Sequence, residues 1–153
     1  MWAVRGLWRG DVLTDGYNVF YKRRALQMMQ KLVLLALAGT AGTLARYGLA
    51  GLVQRTSGTV FPWGTLAVNL AGCFLAGLLW VLFENRWPVS GETRTIILVG
   101  FMGAFTTFSA MILETGELLR SAEWMYAVVN IVMQNGLGLV ALFAGAAVGR
   151  LAG

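Results

Sequence analysis

Histidine is absent from the chain, cysteine occurs once, proline twice, and only 7 residues are acidic. Each shortage removes a class of function. Without histidine there is no imidazole to act as general base, to activate a nucleophile or to hold a metal. The lone Cys73 lies in an apolar run, with no intrachain disulfide partner and no metal-ligand spacing, so packing is its expected role. Catalysis is not expected. Charged residues make up 12% of the chain and apolar residues 58%, which leaves too little polar surface to coat a water-soluble fold of 153 residues. The length suits one domain, and the composition makes it an integral membrane domain. A net charge of +5 would suggest nucleic acid in a soluble protein. Here the basic residues stand mainly at the ends of apolar runs, where long side chains reach back to the interface, so nucleic acid is discounted.

What is present is an all-α pattern of four apolar segments, about 31–54, 65–83, 95–119 and 124–149, each long enough to cross a bilayer. The linker between the first two, RTSGTVFPWG, holds the turn formers Pro62 and Gly64 and the interfacial Trp63. Residues 1–28 differ. Arg5, Arg9, Asp11, Asp15, Lys22, Arg23 and Arg24 interrupt every apolar run there, so this stretch neither spans a membrane nor forms a signal peptide. It reads as a disordered or over-extended start ahead of Met28 or Met29, or as an interfacial helix anchored by Trp2, Trp8, Tyr17 and Phe20. Residues 29–153 form the membrane domain.

The third segment carries VGFMGAFTTFSAMILE, with Gly100, Gly103, Thr106, Thr107 and Ser109 crowded at one point. In hydrocarbon every backbone N–H and C=O needs a partner, so a helix weakened at mid-membrane is tolerated only against protein or a watery cavity. Unwound carbonyls can hold a cation, and freed amides with hydroxyls can hold an anion. The glycines alone would also serve close helix packing. In the first segment Gly39, Ala41, Gly42 and Ala45 make a smooth face, and Arg46 either snorkels or faces a vestibule that attracts anions. Asn69 in the second segment is interhelical glue or a source of two neutral N–H donors. Glu114 either lies among headgroups or caps a polar pathway. On the fourth segment Asn130, Gln134 and Gly138 share one helix face, which Tyr126 extends by a turn; the line is a polar track or a hydrogen-bonded contact between subunits. Gly145 and Gly149 give a further close-packing edge.

An even number of segments puts both termini on one side of the membrane. Lys31, Arg86, Arg94 and Arg150 on that side face only Arg55 and Arg120 on the other, a small bias. The basic residues of 1–28 would fix the termini inside; without them orientation could be mixed. A chain that inserts both ways can pair with its inverted copy, an inverted-repeat architecture made from one sequence.

Three motifs in order, GTAGTLARYG around Arg46, WGTLAVNLAG around Asn69 and GFMGAFTTFS from Gly100 to Ser109, resemble the small dual-topology fluoride channels, the Fluc or CrcB family of bacterial membrane proteins. The resemblance covers residues 29–153. It implies an antiparallel homodimer in the bacterial inner membrane, a third helix broken at mid-membrane, two fluoride pores and a structural sodium ion (Na+) at the dimer interface. By the same resemblance, the backbone carbonyls of Gly103 and Thr106 hold the sodium. Asn69 donates to fluoride, Phe108 turns its ring edge into the pore, and Thr107 and Ser109 belong to a polar track. Arg46 matches a vestibule arginine and Glu114 the acidic residue after the break, while Asn130, Gln134 and Gly138 take pore-facing positions. The run TTFSAMILE departs from the TTFSTFS of many members: Met111 replaces a second phenylalanine, and Ala110 and Ile112 replace hydroxyls. A nonidentical partner subunit is a further way to read that variant site.

Fluoride fits the residue types physically. It is small and strongly hydrated, so its passage needs compact donors, and neutral amides and hydroxyls supply them without trapping it. The positive edge of an aromatic ring is mildly attractive to an anion. A proton-coupled drug exporter, also a small four-helix protein, needs an intramembrane carboxylate early in the chain, and the first segment has none. A non-transporting assembly subunit would use the same polar residues only to tie helices together.

Overall fold

The computed structural model describes residues 10–151, with side chains from residue 17. The described chain is helical: α1 Gly10–Ser57, α2 Trp63–Asn85, α3 Gly91–Thr95, a π-helical stretch Ile96–Met102, α4 Gly103–Phe105, α5 Phe108–Arg120 and α6 Trp124–Leu151. Four stretches are long and apolar enough to cross a membrane: Tyr17–Ser57, Trp63–Asn85, Gly91–Arg120 and Trp124–Leu151. Their apolar residues run round the whole helix, so many face outward, which water would penalise and lipid does not.

The chain divides into two units, residues 1–33 and 34–153. In the first, residues 10–28 are helical. The local reason is a run of good helix formers, KRRALQMMQK, preceded by side chains that pair one turn apart. The Tyr17 and Tyr21 hydroxyls lie 2.8 Å from one another, and the Arg24 guanidinium sits 4.6 Å above the Phe20 ring. Trp2 and Trp8 lie outside the described residues.

In the second unit the most extensive packing is α2 against α6. Two glycines set how closely they approach. A Cβ on Gly77 would strike the carbonyl of Leu142, and one on Gly145 the carbonyl of Phe74, so the backbones meet where neither has a side chain. Gly149 packs beside Leu78 and Val81, and Cys73 packs beside Gly138. Against the π-helical stretch, a Cβ on Gly42 of α1 would strike the Phe101 carbonyl. Gly39 and Gly42 thus form the smooth face their spacing implied.

Two of the connections are closed by side chains and a third by backbone bonds. Gln54 donates to the carbonyls of Thr59 (3.0 Å) and Phe61 (3.1 Å) and accepts from the Gly64 N–H (3.1 Å), a complete splint across the α1–α2 loop. Ser90 caps α3 through the Thr93 N–H, and Arg94 reaches back to the Phe83 carbonyl at 2.8 Å. Between α5 and α6 the Glu123 N–H bonds the Leu118 carbonyl and the Ala122 N–H that of Leu119, with Ala122 at φ 59°. This left-handed C-terminal cap turns α6 straight back along α5 and sets Thr115 beside Asn130.

Gly77→Val is expected to destabilise the protein by about 1–3 kcal/mol or more, because a carbonyl cannot move aside as a flexible side chain would. Thermal unfolding in detergent measures it; a melting temperature equal to wild type would show that the close crossing is not what holds α2 to α6.

Candidate functional site: an interrupted helix splinted by an amide

The helical run from Gly91 ends at Phe105. Thr106 (φ −84°, ψ 157°) and Thr107 (φ −150°, ψ 112°) are extended, and α5 begins at Phe108. Hydroxyl side chains favour this by offering backbone groups local alternatives to helix bonds. The Thr106 N–H and hydroxyl both donate to the Met102 carbonyl at 3.0 Å. Thr107 caps α5, its Oγ1 accepting the Ala110 N–H at 3.2 Å. The break leaves the carbonyls of Gly103, Ala104, Phe105 and Thr106 without their donors four residues on. In an unbroken helix Gly103 C=O would receive the Thr107 N–H and Thr106 C=O the Ala110 N–H; here the first N–H goes to Asn69 and the second to the Thr107 side chain. These are the two carbonyls that the family resemblance assigns to a cation.

Asn69, brought from α2, replaces what the break removes. Its Oδ1 accepts the Thr107 N–H at 2.9 Å and its Nδ2 donates to the Thr107 carbonyl at 3.1 Å. A carboxamide has the donor and acceptor pattern of a peptide group, so one side chain satisfies both backbone groups of Thr107. The second Nδ2 hydrogen goes to Gln134 Oε1 at 2.8 Å. Both hydrogens that the sequence reading reserved for an anion are therefore already bonded within the protomer.

The bonds continue inward. Gln134 Nε2 donates to Asn130 Oδ1 (3.3 Å), Asn130 Nδ2 to Thr115 Oγ1 (2.9 Å), and Thr115 Oγ1 to the Met111 carbonyl (2.7 Å). Asn130 is fully buried, and Gln134 and Thr115 nearly so. The line Asn130, Gln134, Gly138 on α6 thus faces α2 and α5 of its own protomer, joined by interhelical hydrogen bonds. Tyr126 does not continue it: its ring is partly exposed and packs edge-on against Phe61 at 6.0 Å.

A cavity of about 390 Å³ lies beside the break, lined by Asn69, Thr106, Thr107, Phe108, Met111 and Gln134 among others, none of them charged. The Phe108 side chain is 71% exposed on the protomer surface, Ser109 is exposed with its Oγ 3.4 Å from Thr107 Oγ1, and Gly103 is exposed. Met111, at the position of the missing second aromatic, is buried. Two predicted site residues lie elsewhere. Arg46 Nε donates to the Ala104 carbonyl at 3.2 Å, capping the end of the interrupted run with a cation where the helix dipole favours one. Glu114 Oε1 accepts the Thr65 hydroxyl at 2.5 Å and lines a separate cavity of about 780 Å³ with Tyr47, Arg55 and Thr65. Its Oε2 is buried without a partner among the described residues. Sequence reasoning missed Gln54, Thr65 and Thr115; for Thr115 the available signal was its place four residues after Met111 on the face that an antiparallel α6 must cover.

Four membrane-competent helices, with the polar groups of three of them gathered at an interruption, define a multi-pass membrane protein with a neutral polar site in its interior. The chain belongs to the CrcB family: the model described as "CrcB-like protein, Camphor Resistance (CrcB)" matches residues 33–146. It is 64% identical over 124 residues to a protein of Desulforapulum autotrophicum named "Fluoride-specific ion channel FluC", covering 81% of this chain and 99% of that protein. Proteins of the same name from Nitrosococcus oceani and Solidesulfovibrio magneticus are each 52% identical over the same extent.

Asn69→Leu is expected to leave the Thr107 N–H and C=O both unpaired, at about 1–3 kcal/mol for each orphaned group. Gln134→Leu orphans no backbone group and should lower the melting temperature in detergent less; equal losses would contradict the splint.

Proposed function

We propose that the protein is a fluoride-selective ion channel through which cytoplasmic fluoride leaves passively down its electrochemical gradient, giving fluoride resistance. The observation that carries this reading is the site's neutrality: amide and hydroxyl groups and the Phe108 side chain gather at a helix break and no charged residue lines the adjoining cavity. The names of relatives 45–64% identical support it from outside the geometry. A bare fluoride needs short N–H and O–H contacts in place of water, and Asn69, Gln134, Thr107, Ser109 and Asn130 are of that type. The edge of Phe108 attracts an anion weakly and screens bulkier ones. From acidified surroundings fluoride enters the cell as neutral HF, dissociates in the more alkaline cytoplasm and needs only a passive exit.

The working unit in this reading is an antiparallel, dual-topology homodimer in the bacterial inner membrane, with the interruption at mid-membrane. Exposure of Gly103 and Phe108 on the single protomer supports it, since both would be covered by an inverted copy. A structural sodium ion suits the centre of that dimer. It takes oxygen ligands, and the carbonyls of Gly103 and Thr106 have lost their helical donors, two from each subunit. Bound there, the ion would raise the potential felt by an anion without lying in its path. Arg46, anchored on the Ala104 carbonyl, adds positive charge at a distance.

Purified protein in liposomes should release fluoride rapidly and chloride hardly at all, as followed with ion-selective electrodes; comparable rates for the two ions defeat the selectivity claim. Asn69→Asp and Phe108→Ile should each lower fluoride efflux while the dimer persists in cross-linking. Undiminished efflux in both would remove them from the pore.

A further inference from the structure

We propose that Thr115 is a positioning residue: its hydroxyl fixes the inner end of the hydrogen-bond chain running through Asn130 and Gln134 to Asn69, and so holds in place the amide atoms that face the anion path. The inference rests on the channel reading and extends it to a residue remote from the pore.

The direction follows from what each atom is able to do. The Met111 carbonyl only accepts, so the Thr115 hydroxyl, 2.7 Å away, must donate to it. The Thr115 oxygen is then free only to accept, which turns Asn130 Nδ2 toward it at 2.9 Å. Asn130 is left presenting Oδ1, Gln134 must offer Nε2, and Gln134 Oε1 is thereby aimed at Asn69 Nδ2. At the far end the Thr107 N–H and C=O impose the same orientation on Asn69 independently. The chain is pinned at both ends with one polarity.

The consequence is electrostatic. Gln134 and Asn69 both line the cavity beside Phe108. In this polarity their carbonyl oxygens, the atoms that would repel an anion, are each occupied by an N–H, while Gln134 Nε2 keeps a second hydrogen beyond the one given to Asn130. Without the Thr115 hydroxyl, Asn130 has nothing to fix its amide from the α5 side, and Gln134 is held only through Asn69. With one anchor in place of two, its oxygen would face the cavity for a larger part of the time. Thr115 and Asn130 are too buried for water to substitute readily.

The test compares Thr115→Val, which removes the hydroxyl at nearly constant volume, with Thr115→Ser, which keeps it, in liposomes loaded with both fluoride and chloride. Thr115→Val should lower fluoride efflux on the order of tenfold and lower the fluoride-to-chloride ratio, with Thr115→Ser restoring both toward wild type. The ratio and the serine rescue separate positioning from mere loosening of the fold, which would scale both ions together. If Thr115→Val yields no folded protein, Asn130→Leu cuts the same chain one link along and should reproduce the loss of ratio. Wild-type vesicles that retain fluoride overturn the channel reading and the inference with it. Wild-type efflux matched in rate and ratio by Thr115→Val, or by Asn130→Leu in its place, overturns the inference alone.

Discussion

The rest of the structure depends on one constraint: in a bilayer's hydrocarbon a peptide group that leaves a helix must find another polar partner inside the protein. Several departures from helix here are met by a specific side chain. Asn69 takes both backbone groups of Thr107, Gln54 takes the carbonyls of Thr59 and Phe61 and the Gly64 N–H, and Arg46 takes the Ala104 carbonyl. Carboxamides do most of this because they carry the peptide's own donor and acceptor without charge. A carboxylate or ammonium at the same depth would carry a desolvation penalty of several kcal/mol.

Such a splint works only if its helix is held at a fixed distance, and the glycines provide that. Gly77 and Gly145 let the α2 and α6 backbones touch, which puts Asn69 within reach of Gln134. The left-handed turn at Ala122 then lays α6 along α5, so that Thr115 meets Asn130. Close packing and polar pairing are therefore one arrangement: widening the crossing would also break the hydrogen-bond chain.

Much of this was legible in the chain. Four apolar runs follow from composition, and the crowd of glycine and hydroxyl residues at 100–109 marked where α4 would end and α5 begin. The motifs around Arg46, Asn69 and Thr107 carried the family. What could not be read is which group each polar side chain bonds, because that depends on the helix lying opposite. Nothing in the sequence singles out Thr115 beside Glu114, and Gln54 only closes the first apolar run. Arg46 was read as a vestibule or snorkelling charge because the Ala104 carbonyl is 58 residues away.

The full engagement of Asn69 shapes how a halide would be held. An ion drawing a hydrogen from this amide takes it from Gln134 or from the Thr107 carbonyl, so it gains only the difference between a new bond and an old one. Exchange of that kind makes a shallow energy well rather than a deep one. In the proposed channel, dwell times at such a station would be short, and throughput would depend on how readily the displaced partner swings back.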